Sequence, residues 1–150
     1  MTLIRRKFLQ GAGLVVTLGL ISPSGLRAAD GNAWQGLRES ILAGREPVEG
    51  GITLDLPDMA ENGAQVPLGV HVDSPMTPAE HVEAIHVIAT RNPAPEIGTF
   101  RLSPHLARAE VFTRIRVGGV QDILVLAEMS DGRVLQQAAR VSVTVGGCAT

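Results

Sequence analysis

The chain has 150 residues, 45% hydrophobic and 19% charged, with 17 Gly and 9 Pro, the composition of one globular domain rather than of a disordered or fibrous protein. Aromatic residues make up 3% and the net charge is -2, so the chain lacks both the stacking platforms and the phosphate attraction that a nucleic-acid partner requires. The only lysine is Lys7 and the only cysteine is Cys148, which excludes an internal disulfide and a four-cysteine metal or iron-sulfur site.

The chain opens with Ile4-Arg5-Arg6-Lys7-Phe8-Leu9-Gln10, then an apolar run over 11–21 broken by glycines, then Ser22-Pro23-Ser24-Gly25 and Ala28-Ala29. This is the layout of a twin-arginine export signal, with Arg5 and Arg6 as its paired arginines. The run is shorter than the roughly 20 residues that span a bilayer, and its polar flanks suit cleavage; an uncleaved N-terminal anchor is the alternative. Residues 1–29 are therefore expected to be a leader, 30–145 the folded domain and 146–150 a C-terminal arm.

Removing the leader takes away Arg5, Arg6, Lys7 and Arg27, so the basic count falls from 13 to 9 against 15 acidic residues. The exported protein is acidic, has no lysine for Schiff-base or pyridoxal chemistry, and does not attract an anionic ligand by its overall field. Twin-arginine export moves folded proteins. With no cofactor motif in the chain, a partner assembled before transport is the expected reason for that route, and no cofactor is expected.

Ala33, Trp34, Leu37, Ile41 and Leu42 recur at helical spacing, with Asn32 available as a cap and Gly44 as a stop, which predicts one amphipathic helix. Beyond Gly50-Gly51 the pattern changes to short β-branched runs bounded by Pro, Gly, Asn and Asp, predicting strands at 52–56, 66–73, 81–90, 98–103, 109–117, 120–128 and 133–145. Gly118-Gly119 and Ser130-Asp131-Gly132 carry hairpin chemistry and predict that the last three of these strands are consecutive and antiparallel. About seven strands at this spacing behind one helix suit an all-β sandwich.

The final strand alternates cleanly, with Leu135, Ala139, Val141, Val143 and Val145 on one face and Gln136, Arg140, Ser142 and Thr144 on the other. The strand before it is apolar on both faces: Ile123, Val125 and Ala127 against Leu124 and Leu126. The helix or another subunit is expected to cover the second face.

His71, His81, His86 and His105 form no spacing that places two metal ligands on one face, although His71 and Asp73 share a strand face. A blue-copper site needs a histidine after its cysteine, and only Ala149 and Thr150 follow Cys148. A cysteine nucleophile needs a base and oxyanion donors on rigid elements, and Cys148 follows Gly146-Gly147 near the end of the chain. Such a thiol is suited to travel: three residues extend about 10 Å, and glycine adds backbone freedom without bulk. An unperturbed thiol is only a few per cent ionised at pH 7, so activation is expected from the site that receives it. The position of Cys148 thus fits a carrier of a covalently bound group, while an intermolecular disulfide or a cysteine without function fits it too.

Val141-Ser142-Val143-Thr144-Val145-Gly146-Gly147-Cys148 closely resembles the C-terminal end of the SoxY family, the sulfur carriers of the bacterial thiosulfate-oxidising Sox system. Ala60-Glu61-Asn62-Gly63-Ala64-Gln65-Val66-Pro67, Phe112-Thr113-Arg114-Ile115-Arg116 and Met129-Ser130-Asp131-Gly132 agree with it, as does the leader. The resemblance implies a periplasmic, immunoglobulin-like sandwich paired with a second sandwich subunit, SoxZ, that is exported with it. It implies that a c-type haem enzyme conjugates thiosulfate to Cys148. A separate thiosulfohydrolase then releases sulfate, and a sulfane dehydrogenase, where present, oxidises the remaining sulfur. Catalysis would lie in those partners and not in this chain. Ala149-Thr150 stands where the family usually has two glycines, which reduces backbone freedom on that side of the cysteine. The rival is an exported immunoglobulin-like binding module in which Cys148 forms an intermolecular disulfide. Glu61-Asn62-Gly63 is expected to close a loop, and Arg114 and Arg116 to mark a solvated strand face.

Overall fold

The computed structural model describes residues 32–145. Arg5, Arg6, Gly146, Gly147 and Cys148 lie outside the described residues. Among the described residues one helix, α1 (Ala33–Leu42), precedes nine strands: β1 (Pro47–Glu49), β2 (Ile52–Asp55), β3 (Met59–Asn62), β4 (Val66–Val72), β5 (Val82–Ala89), β6 (Glu96–Arg101), β7 (Ala109–Ile115), β8 (Gln121–Met129) and β9 (Val134–Val145), with one 3-10 turn at Gly63–Gln65. Among the described residues, no helix is long and apolar enough to cross a membrane.

The strands form the immunoglobulin-like sandwich that the sequence predicts. The larger sheet has the order β1-β9-β8-β5-β6, with β3 added beside β9, and the smaller sheet is β2-β4-β7. Most neighbours are antiparallel, but β1 and β3 both run parallel to β9. The core lies between the sheets: Val66, Leu68, Val70 and Val72 of β4 and Val111 and Ile115 of β7 face Ile85, Val87, Ile123, Val125, Leu135 and Val141. Strand alternation puts these residues inward, while Pro67, His71, Phe112 and Arg114 point out.

β8 is buried on both faces, and α1 covers the second one. Leu124 and Leu126 join Ile88, Val134 and Leu42 in a separate cluster roofed by Trp34, Leu37 and Ile41. Each such fully buried aliphatic side chain contributes about 1.5–3 kcal/mol. The helix is stopped by Ala43 in the left-handed region (φ 49°) followed by Gly44 (φ 80°). The Arg45 side chain then donates to the carbonyls of Ile41 and Leu42, at 2.7 and 2.9 Å, and to Glu128 at 2.7 Å, fastening the helix end to the sheet. The Asn32 side chain makes no capping bond; only its backbone carbonyl accepts, from Gln35.

One expected hairpin is absent. β7 lies in the smaller sheet and β8 in the larger, so Gly118-Gly119 does not join paired strands. Neither glycine adopts the positive φ that a two-residue hairpin turn demands. The segment crosses between sheets instead, pinned by Asn92, whose Oδ1 accepts from Gly118 N (3.0 Å) and Gln121 Nε2 (2.8 Å) and whose Nδ2 donates to the Arg116 carbonyl (2.8 Å). The other expected turn forms: β8 and β9 pair antiparallel across Gly132, at φ 89°.

Candidate functional site: the root of the C-terminal arm

The last strand carries the chain from the core to the segment containing Cys148. β9 pairs with β8 as far as Val141, opposite Gln121, where β8 begins. β9 then runs on to Val145 with β3 at its side, Ser142 opposite Met59, Val143 opposite Ala60 and Val145 opposite Asn62. Nothing in Met59-Ala60-Glu61-Asn62 has strong strand propensity. The overrun of β9 makes it a strand by offering an unpaired edge.

Two hydrogen bonds lock this junction. Ser142 N donates to the Asp58 carbonyl at 2.9 Å, and Thr144 Oγ1 donates to the Glu61 carbonyl at 3.0 Å. Asn62 Oδ1 accepts from Ala64 N at 2.8 Å, starting the 3-10 turn, and the buried Gly63 accepts from Val117 N at 2.7 Å through its carbonyl. Glu61-Asn62-Gly63 does close a loop, as its residue types indicate. The sequence could not show that this loop sits beside the exit of the arm, because the placement depends on a parallel pairing across more than eighty residues.

Val117 follows Arg116, so the Gly63–Val117 bond also brings the end of β7 to this end of the sandwich. There Arg114 and Arg116 line a pocket of about 430 Å³ with Asn92, Pro93, Ala94, Glu96 and Ile97, between the edge strands of the two sheets. Both arginines are exposed. Arg38, Arg45, Arg108, Arg133 and Arg140 each lie within ion-pair distance of a carboxylate, whereas Arg114 and Arg116 do not among the described residues.

The histidines have separate partners. His71 Nδ1 lies 3.1 Å from Glu110 Oε1, off hydrogen-bonding alignment, and its Nε2 lies 3.4 Å from Asp73 Oδ1. His81 Nδ1 meets the Thr77 carbonyl at 3.1 Å. His86 sits between Thr99 Oγ1 and Glu128 Oε1, 2.9 Å from each. Burial pushes the Glu128 carboxyl up, but hydrogen bonds from Arg45 and His86, reinforced by their charges, more than offset it and hold the group below its ordinary value of 4.5. Among the described residues, no three His, Cys, Asp or Glu side chains converge as a metal site.

The described residues thus form a β-sandwich platform from which a five-residue segment with the chain's one thiol departs. Such an arrangement can present a covalently held group to other proteins. The model of the family described as sulfur oxidation protein SoxY matches residues 38–148. The solved structure of the sulfur carrier protein SoxY from Chlorobium limicola f thiosulfatophilum is similar at 27% identity, covering 74% of this chain and 98% of that one, with a TM-score of 0.60. A superoxide reductase (neelaredoxin) from Ignicoccus hospitalis is 11% identical over 63% of this chain and 80% of that one, with a TM-score of 0.56. The hypothetical protein PH1083 from Pyrococcus horikoshii OT3 is 13% identical over 64% and 96%, with a TM-score of 0.54. At those two identities the likeness is one of fold alone. No curated protein matches the chain.

Proposed function

The chain belongs to the SoxY family of sulfur oxidation proteins, and from that premise we propose that it is a periplasmic carrier that holds thiosulfate-derived sulfur on Cys148. The observation that carries this reading is positional. The family match runs to residue 148 and so includes the chain's only cysteine, which follows two glycines at the end of the strand anchored by β3.

The thiolate condenses with thiosulfate, Cys–S⁻ + S₂O₃²⁻ → Cys–S–S–SO₃⁻ + 2e⁻, the electrons leaving to the haem of a conjugating enzyme. Hydrolysis by a thiosulfohydrolase gives Cys–S–S–SO₃⁻ + H₂O → Cys–S–S⁻ + SO₄²⁻ + 2H⁺, and a sulfane dehydrogenase acts on the persulfide where it is present. These steps need donors and bases that surround the sulfur, and they are assigned to the partners. The carrier contributes a thiol that glycine lets enter narrow sites. A SoxZ-like sandwich subunit completes the heterodimer. Arg5 and Arg6 direct the assembled pair through the twin-arginine route, and cleavage of the leader frees it from the membrane.

The test is the intact mass of the protein purified from its own periplasm under thiosulfate, without reductant, beside Cys148→Ala. A thiosulfonate or polysulfane on Cys148 that reductant removes is the expected result. A bare thiol, or only a disulfide-linked dimer, overturns the carrier and leaves the binding module with an intermolecular disulfide.

A further inference from the structure

β9 has an open stretch of edge between its two short neighbours. β1 accompanies it as far as Gln136 and β3 begins opposite Ser142, so 137–141 have a strand on one side only, β8. The bonds around this stretch fix the direction of its main chain. The Asp122 carbonyl accepts from Thr90 N and the Asp122 amide donates to Thr90 Oγ1, so Asp122 turns toward β5 and its pair partner Arg140 turns away from β8. By alternation Gln136, Ala138 and Ser142 turn the same way, and the bonds from Gly50 N to the Gln136 carbonyl and from Ser142 N to the Asp58 carbonyl lie on that side. Between those two bonds the N–H and C=O groups of Ala138 and Arg140 point out of the sheet edge with no main-chain partner among the described residues. Only Gln137 Nε2 reaches the Ala138 carbonyl, at 3.5 Å.

The side chains carry the same opening. Leu135 and Val141 are buried, but Gln137 and Ala139, between them on the same core-facing series, are only half-buried, and Gln137 puts an amide where the pattern calls for an aliphatic group. Six residue steps from Gln136 to Ser142 make the opening about 20 Å long, the length of an ordinary strand. A carboxylate stands at each end: Glu49, whose residue pairs with Gln136, and Asp58, one residue before the pair partner of Ser142. Both are exposed, and neither lies within ion-pair distance of a cation among the described residues. An unpaired strand edge is a template for another strand, and the two carboxylates say which charges that strand carries at its ends.

We propose that this opening is a docking site for an extended segment of a different protein, about five residues long with cationic side chains at its ends, which joins the larger sheet between β1 and β3. Main-chain bonds to Ala138 and Arg140 supply the attachment, and Glu49 and Asp58 select the basic ends. A second copy of this chain does not fit. β1 and β3 each stand one strand spacing, about 4.8 Å, beyond β9, so two such recessed edges do not reach each other. A two-fold pairing of β9 with itself would also bring Glu49 of one copy to Asp58 of the other, like charge against like.

The experiment compares the protein purified from its own periplasm, with whatever chain co-purifies, to the same chain expressed alone, by amide hydrogen exchange resolved to single residues. Exchange at Ala138 and Arg140 is expected to be roughly tenfold or more slower in the complex, while Gln137 and Ala139, whose amides turn to β8, exchange slowly in both and report an intact fold. Ala138→Pro removes the outward N–H without taking a bond from β8, and is expected to weaken binding of the co-purified chain roughly tenfold. Ala138→Val keeps the N–H and is expected to bind as the wild type does. Glu49→Gln/Asp58→Asn is expected to bind roughly three- to tenfold more weakly, a difference that high salt removes. Equal exchange at Ala138 and Arg140 in the two samples overturns the site, whether fast in both, as when a partner sits elsewhere or none is present, or slow in both, as when the chain covers its own edge. A complex with the mass of two copies of this chain overturns it, as does undiminished binding by Ala138→Pro with slow exchange retained at Gln137 and Ala139. Equal binding by the charge variant overturns the basic segment. None of these outcomes bears on the carrier reading, which stands or falls on the mass found after growth on thiosulfate.

Discussion

Thr144 donates its hydroxyl to the main-chain carbonyl of Glu61 at 3.0 Å, across the last strand pair before the chain departs toward Cys148. The bond ties a side chain of β9 to the backbone of β3 and thereby holds the point from which the arm leaves. Replacing Thr144 by Val removes the donor and keeps the shape. The expected result is a loss of about 0.5–1 kcal/mol and faster hydrogen exchange at the amides of 143–145, while Thr144→Ser retains the slow exchange. Unchanged exchange in Thr144→Val would show that strand pairing alone fixes the root.

Gly69 lets the outer face of the small sheet close. A Cβ there would lie 3.0 and 3.2 Å from ring carbons of Phe112 and 3.1 Å from the Asp55 Cβ. The ring can swing aside, but the Asp55 Cβ cannot, so Gly69→Ala is expected to cost about 1 kcal/mol in urea unfolding. Phe112→Ala in the same background recovers only part of that loss, which a double-mutant cycle measures.

The Arg45–Glu128–His86 cluster makes the attachment of α1 dependent on pH. Glu128 is depressed in the folded protein, so its contribution is fully present above its ordinary value of 4.5 and is lost as pH falls through the lower folded value. Glu128→Gln should cost of order 1 kcal/mol at neutral pH. The gap to wild type should shrink steadily below about pH 4.5, read from denaturation midpoints. A gap that stays constant into that range would mean that the carboxylate charge contributes nothing.

Asn92 serves three partners, one of them the side chain of Gln121, which is only 1% exposed. Asn92→Ala orphans the Gln121 amide and frees the crossing between the sheets. A loss of about 2–3 kcal/mol is expected in equilibrium unfolding.

Much of this architecture was open to reading because alternation survives in the long strands. Val66–Val72, Val82–Ala89, Gln121–Met129 and Val134–Val145 all lie within a residue or two of where β-branched periodicity puts them. The two apolar faces of β8 announced a covering layer, and α1 supplies it. β1 and β3 were not legible. They are three and four residues long, carry one β-branched residue between them, and exist because twelve-residue β9 offers them an edge. Gly118-Gly119 misled because a glycine pair reports permission for positive φ, not its use. At the site, the position of Cys148 was readable directly. The place of Glu61-Asn62-Gly63 beside the arm, and of Arg114 and Arg116 around one pocket, needed the strand register and the sheet crossing.

The overrun of β9 past β8 turns the end of the fold into a short leash. Cys148 stands three residues beyond the last described strand pair, and three residues reach at most about 10 Å. Any protein seated on that end of the sandwich therefore meets the sulfur at an effective concentration in the millimolar range or above. On the proposed carrier reading, the cargo never has to dissociate to change hands. On that reading, lengthening the leash by unzipping β9 from β3 would dilute the thiol for every partner at once, which makes the hold of β3 on β9 a setting for the whole proposed relay.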